Sequence, residues 1–243
     1  MYNCVPMSAK STPKRPKPKK AQAFTRKLLA WYADAARDLP WRQTRDPYRV
    51  IVSEFMLQQT QVSRVSEFYP RFLKRFPTIE RLARARPKAV MEAWDGLGYY
   101  ARARNLHKLA KEVSVVGGRL SDSPEELVKL PGVGRYTAGA VACFAYEKPV
   151  PAVDTNVKRV LERVFRTKDV WATAAAIVPQ NGKRAWRFNQ ALMELGALIC
   201  TARSPKCPAC PVESVCPSAS RFQQPKPAGQ KRRPPSRRSP AVS

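Results

Sequence analysis

Apolar residues recur at helical spacing along most of this 243-residue chain. Phe24, Leu28, Leu29, Trp31 and Tyr32 share one face and predict a helix over 24–37. After the turn signals Leu39-Pro40-Trp41-Arg42 and Asp46-Pro47-Tyr48, the series Val50, Ile51, Phe55, Met56 predicts another. It carries polar Ser53, Glu54, Gln58, Gln59, Thr60 and Gln61. Residues 68–112 give three short helices, punctuated by Pro77, Pro87 and Gly96-Leu97-Gly98. The helical pattern resumes on both sides of Leu130-Pro131-Gly132-Val133-Gly134, over 124–130 and 137–146. It returns over 157–165 and about 186–200, while 167–185 is poorly patterned. No segment sustains strand alternation, so the predicted class is all-α.

Charge changes the picture. Forty-five Lys and Arg against 18 Asp and Glu give +27, a balance that points to a polyanionic partner. Residues 1–23 and 218–243 are basic, Pro-rich and free of acids, and are expected to be disordered tails. The body between them is still basic. No apolar run reaches the ~18 residues that would span a bilayer, and no apolar signal core opens the chain. The expectation is a soluble, reducing, cytoplasmic setting, with no membrane partner.

Four positions carry candidate chemistry. Gly132 and Gly134 after Pro131 mark a tight turn between two helices, a helix-hairpin-helix. The second helix opens at that turn, so its free N–H groups and positive dipole end suit a phosphate, although an ordinary αα-corner reads the same way. Asp154 follows that helix and precedes a basic one. Glu54 lies among apolar neighbours, where a charge is costly unless used. Tyr99-Tyr100-Ala101-Arg102-Ala103-Arg104 joins aromatics to cations, which suits stacking beside phosphates; a core tyrosine pair beside a solvated basic face is the plainer alternative. His107 is the only histidine and sits mid-helix among apolar neighbours, which favours a structural hydrogen bond over catalysis and argues against a catalytic triad or a His-rich zinc site.

Cys200, Cys207, Cys210 and Cys216 are spaced Cys-x6-Cys-x2-Cys-x5-Cys. Four thiolates so placed can hold zinc or a [4Fe–4S] cluster. Zinc ribbons favour two Cys-x2-Cys pairs far apart, and only one such pair exists here, which favours iron–sulfur. Cys143, in an apolar helix, is expected to be a buried small hydrophobe.

The run Leu130 to Gly134, the helix after it and Val153-Asp154-Thr155-Asn156 resemble the helix-hairpin-helix DNA glycosylase superfamily. The cysteine spacing resembles its endonuclease III-like branch. Ser53-Glu54-Phe55-Met56-Leu57-Gln58-Gln59-Thr60-Gln61, Gly96-Leu97-Gly98-Tyr99-Tyr100 and Phe188-Asn189-Gln190-Ala191 resemble the MutY-type adenine glycosylases, and the likeness covers about residues 24–217.

That resemblance implies a two-lobed fold with a cluster loop. Residues 39–147 would form a six-helix lobe containing the hairpin, and 24–38 with 148–217 the iron–sulfur lobe. It implies a monomeric, nucleoid-associated base-excision enzyme acting on double-stranded DNA with adenine opposite guanine or 8-oxoguanine. Glu54 would be the general acid and Asp154 the stabiliser of a cationic sugar, with Tyr136 and Asn156 beside them. Trp41, Arg42 and Gln190 would line the adenine pocket, Gln58, Gln59 and Thr60 would probe the opposite base, and Tyr99 would wedge into the stack. Gly132, Gly134 and Arg135 would grip the backbone, and the four cysteines would hold a [4Fe–4S] cluster. Tyr136 stands where the bifunctional branch has its Schiff-base lysine, which implies a monofunctional glycosylase. The Nudix-like domain that full-length relatives carry after the cluster is not expected here. A thymine or uracil mismatch glycosylase of the same superfamily is the first alternative, and a non-catalytic DNA-binding module the second.

Overall fold

The computed structural model describes residues 16–223, and within them every regular element is a helix or a helical turn. They are α1 (Pro18–Ala35), α2 (Pro47–Leu57), α3 (Val62–Arg75), α4 (Ile79–Ala83), α5 (Pro87–Trp94) and α6 (Ala101–Val115), then α7 (Pro124–Leu127), α8 (Arg135–Tyr146), α9 (Thr155–Phe165), α10 (Val170–Ile177), α11 (Gly182–Leu198) and α12 (Ala219–Gln223). The all-α expectation holds.

α2 is the central helix. Asp46 caps it through the N–H groups of Tyr48 and Arg49, Pro47 starts it, and Val50 to Met56 are all buried. It packs on α3, α6 and α8, while α4 and α5 pack on α6. At the other end α11 packs on α1 and α9. Phe24 of α1 meets the rings of Phe165 and Phe188 edge-to-face.

Helix boundaries differ from the sequence expectation in five places. The stretch 68–112, expected to hold three short helices, holds the end of α3, all of α4 and α5 and most of the long α6, because the break at Thr78 adds a helix start. α1 begins at Pro18, so 18–23 are helical rather than part of a disordered tail. The Lys20 amine donates to the Val164 carbonyl at 2.6 Å and lies over the Phe165 ring, giving this basic turn a docking site. Residues 219–223 likewise form α12, with the Phe222 ring stacked on Arg163. The rest of both expected tails, 1–15 and 224–243, lies outside the described residues.

The polar run Gln58–Gln61 is not helix but the turn between α2 and α3, with Gln59 at φ +56°. The poorly patterned stretch 167–185 holds α10 and the first turn of α11. Both open on side-chain caps, Asp169 to Ala172 N–H and Asn181 to Arg184 N–H, and α10 buries Val170, Thr173, Ala174 and Ile177, a face hidden in the sequence because its neighbours are apolar too.

Close packing between α8 and the following segment requires Gly139. A Cβ there would meet the Pro151 carbonyl oxygen at 2.4 Å. This contact lays residues 151–153 along α8 and delivers Asp154 to the start of α9.

Candidate active site

One cleft of about 1120 Å³ opens among α2, the Pro40–Arg42 turn, the start of α8, the start of α9 and α11. Glu54, Tyr136, Asp154 and Asn156 all line it. So do the base-pocket candidates Trp41, Arg42 and Gln190 and the turn residues Gln58, Gln59 and Thr60. Residues far apart in sequence are therefore brought to one wall, with buried α2 as its floor.

Glu54 is 5% exposed. Burial pushes its carboxyl up to about 7, helped by the nearby Asp154 charge and opposed by a hydrogen bond from the Tyr136 hydroxyl. Its Oε2 is buried and has no partner within the protein. A carboxyl of that kind holds a proton near neutrality and has one oxygen free for an incoming group.

Asp154 is built differently. It caps α9, accepting from the Val157 N–H at 2.6 Å, and its other oxygen accepts from Asn156 Nδ2 at 3.0 Å. Burial raises its pKa, and these hydrogen bonds work against the rise. The helix N-terminus favours the ionised form as well. Two carboxyl groups at one cleft thus differ in kind: one buried with an unpartnered oxygen, the other held by donors.

The remaining candidates fall outside the cleft lining. Tyr99 is 59% exposed at φ +47° in the turn before α6. Gly132 takes φ +76° in the hairpin, where a Cβ would meet Asn105 at 2.8 Å and Phe55 at 3.0 Å, so only glycine fits. Gly134 is the N-cap of α8, with open space around it. Arg135 begins that helix, exposed.

The structural roles of Arg37, Arg102, Arg159, Arg163 and Glu194 escaped the sequence reading. Arg102, grouped there with phosphate-facing residues, is buried and caps the C-terminus of α2. Its Nη1 donates to the carbonyls of Phe55 (2.9 Å), Met56 (2.8 Å) and Gln58, and its Nη2 to Thr60 Oγ1 (3.0 Å) and Gly98 O (3.2 Å). One guanidinium thereby fixes both the Gln58–Thr60 turn and the turn carrying Tyr99. Arg37 and Arg42 both pair with Glu194, which is fully buried on α11. Burial acts to raise the Glu194 pKa, but the two arginines carry it below its ordinary value. His107 is buried, as expected of a structural histidine, and burial lowers its pKa.

Arg159 joins two sites. Its Nε donates to the Cys200 carbonyl at 2.7 Å, and its Nη2 to Asn156 Oδ1 at 2.7 Å and to Gly196 O at 2.7 Å. Because Asn156 donates to Asp154, three hydrogen bonds connect the cysteine loop to the carboxylate. One turn further along α9, Arg163 donates to Cys200 Sγ at 3.3 Å and to Thr201 O at 2.8 Å.

Cys200, Cys207, Cys210 and Cys216 line a second, small cavity with apolar walls from Leu195, Ile199 and Val212. Among the described residues, no three His, Cys, Asp or Glu side chains converge on a single-ion site. Thiols around a cavity rather than around one point suit a polynuclear cluster better than a lone zinc ion. Cys143 is buried beside Asn189, as a small hydrophobe would be.

Residues 52–186 match the HhH-GPD superfamily base excision DNA repair proteins, and residues 200–216 match the iron–sulfur binding domain of endonuclease III. The chain belongs to the HhH-GPD superfamily of base excision DNA repair proteins. It carries that superfamily's iron–sulfur loop, whose cofactor is a [4Fe–4S] cluster.

Among its relatives, the adenine DNA glycosylase of Mycolicibacterium smegmatis is 47% identical over 198 residues, 76% of this chain and 66% of that protein. That of Rattus norvegicus is 44% identical over 222 residues, 83% of this chain and 43% of that protein. The thymine-DNA glycosylase of Aeropyrum pernix is 39% identical over 208 residues, 80% of this chain and 93% of that protein. The structure of a thermostable thymine-DNA glycosylase superposes with a TM-score of 0.78 at 32% identity, over 84% of this chain and 98% of that one. The chain thus spans about two-fifths to two-thirds of the length of the adenine enzymes it matches.

Proposed function

We propose that this protein is a monofunctional DNA glycosylase that hydrolyses the N-glycosidic bond of adenine mispaired with guanine or 8-oxoguanine. The observation that carries this reading is the pair of unlike carboxyl groups at one cleft. Glu54 has a pKa near 7 and an unpartnered Oε2, and Asp154 is held by the start of α9.

The duplex enters between the lobe of 39–147 and the lobe of 24–38 with 148–217. Gly132, Gly134 and Arg135 take the backbone, Tyr99 wedges into the stack, and the target nucleotide is flipped into the cleft. Trp41, Arg42 and Gln190 receive the base. Glu54 then gives its proton to adenine N7, which turns a poor leaving group into a neutral one. The bond between the sugar C1′ and base N9 breaks with its electron pair going to the base. The oxocarbenium ion left behind is stabilised by ionised Asp154. Water adds at C1′ and its proton returns to Glu54. Free adenine and an abasic site are the products. Tyr136, a phenol, offers no amine for a Schiff base, so the strand stays intact.

Cys200, Cys207, Cys210 and Cys216 are the ligands we assign to the iron–sulfur cluster. They tie the loop after α11 to α9 through Arg159 and Arg163, and so support Asp154.

A second reading has its own support. The thymine-DNA glycosylases match this chain over almost their whole length, which the adenine enzymes do not. Single-turnover excision decides between them, on duplexes with A opposite 8-oxoguanine, A opposite G, T opposite G and U opposite G, with alkali to reveal abasic sites. Adenine release is expected. Thymine or uracil release would replace the proposal with the second reading, and binding without release would make the chain a DNA-binding module.

A further inference from the structure

The Arg135 guanidinium lies 3.9 Å from the centroid of the Trp171 ring, the shortest cation–π contact among the described residues. Arg135 is the first residue of α8, at the mouth of the hairpin. Trp171 is in α10, in the stretch whose sequence shows no helical pattern, and it lines the cleft with Lys168. A stacked pair therefore joins the hairpin to the cleft rim.

Three features make this pair more than packing. Arg135 is exposed, and among the described residues it has no acidic partner and no hydrogen-bonded carbonyl, unlike Arg102, Arg159 and Arg163. Its donors are left facing solvent beside the N–H groups that open α8. Trp171 is half-buried, so part of the indole packs against the protein while one face meets the guanidinium. A guanidinium stacked on an aromatic face keeps its in-plane N–H groups free for a second partner.

We propose that Trp171 is a positioning residue for DNA binding: it pre-orients Arg135 so that the guanidinium and the α8 N-terminus together bind one backbone phosphate beside the flipped nucleotide. An arginine on a solvated helix end loses side-chain entropy when it takes a phosphate, and one already held flat on an indole loses less. The stacked pair places that phosphate at the same rim as the cleft, so strand position and base entry are set together. This inference rests on the DNA-glycosylase reading and adds to it the residue that orders the hairpin's cation.

The test is a double-mutant cycle on the full chain, with its iron–sulfur cluster, binding an undamaged fluorescein-labelled duplex over a range of salt. Wild-type binding is required by the functional reading itself; its absence would sink that reading and leave Trp171 with no role. Given binding, Arg135→Ala is expected to flatten the slope of log K against log salt by about 0.9, the share of one phosphate. Trp171→Ala is expected to weaken binding roughly 3- to 10-fold at intermediate salt, in line with one lost cation–π contact. In the Arg135→Ala background it should weaken binding no further. Trp171→Phe keeps a ring under the guanidinium and should restore most of the affinity. If Trp171→Ala lowers Tm but leaves affinity and salt slope at wild-type values, or if its effect on affinity is undiminished without Arg135, the indole only packs α10 and the proposal is wrong.

Discussion

Glu54→Gln and Asp154→Asn should each slow single-turnover base excision by about 10²-fold or more while leaving duplex affinity within a few-fold of wild type. The two losses have different causes, and pH separates them. Wild-type excision should fall as pH rises through about 7, where Glu54 gives up the proton the base requires. It should also fall on the acid side, as Asp154 becomes protonated and can no longer balance a cationic sugar. Glu54→Gln should lose the alkaline limb, because glutamine has nothing to titrate. Glu54→Gln also has an expected effect on stability. The folded-state pKa of Glu54 is raised from 4.5 to about 7, so the stability it contributes is full below 4.5 and is lost as pH rises through 7. Above that pH the wild type keeps a buried charge that the variant lacks. The variant should therefore become the more stable protein at pH 8, by up to about 3 kcal/mol, and the gap should close towards pH 5. Excision near the wild-type rate in either variant would remove the assignment of that residue.

Much of this arrangement was legible because it is local. Helix periodicity, the proline and glycine breaks and the cysteine spacing each lie within a few residues, and all three led to elements the structure contains. Legibility failed where a segment owes its conformation to distant partners. Gln58 to Thr60 look like the end of a helix, and become a turn because Arg102, more than 40 residues away, takes the carbonyls of the preceding helix. Residues 18–23 look like a tail, and become helix because Lys20 finds Val164. α10 is apolar nearly all round, so its buried face does not stand out, and its Asp169 cap is the clearer mark in the sequence. The cleft itself shows the same division. Glu54 and Asp154 stood out as carboxylates beside apolar or turn residues. Arg159 looked like one more cation on a basic helix, and nothing local told of its bonds to Asn156 and Cys200.

Glu194 is the strongest case of such long-range dependence, and its replacement should have the largest effect on folding. It is wholly buried, and its two oxygens receive Arg37 Nε at 2.6 Å, Arg37 Nη2 at 3.0 Å and Arg42 Nη2 at 2.7 Å. Those partners lie more than 150 positions away, between α1 and α2, so this one carboxylate joins that segment to α11. Glu194→Ala removes the acceptor and leaves two guanidinium groups, one of them nearly inaccessible, without a counter-charge. Breaking a buried pair in this way typically costs about 3–5 kcal/mol. At roughly 2–4 °C per kcal/mol for a chain of this size, Tm should fall by about 6–20 °C. Glu194→Gln keeps one acceptor oxygen and should fall between the two. Function should follow the arginines, since Arg37 and Arg42 both line the cleft beside Trp41 and Gln190. In the glutamine variant, below its own Tm, base excision should weaken while binding to undamaged duplex holds, because the loosened arginines line the cleft proposed to take the flipped base. A Tm within 2 °C of wild type for the alanine variant would show that the two guanidinium groups turn out to water at little cost, and that the segment between α1 and α2 is held to α11 by packing alone.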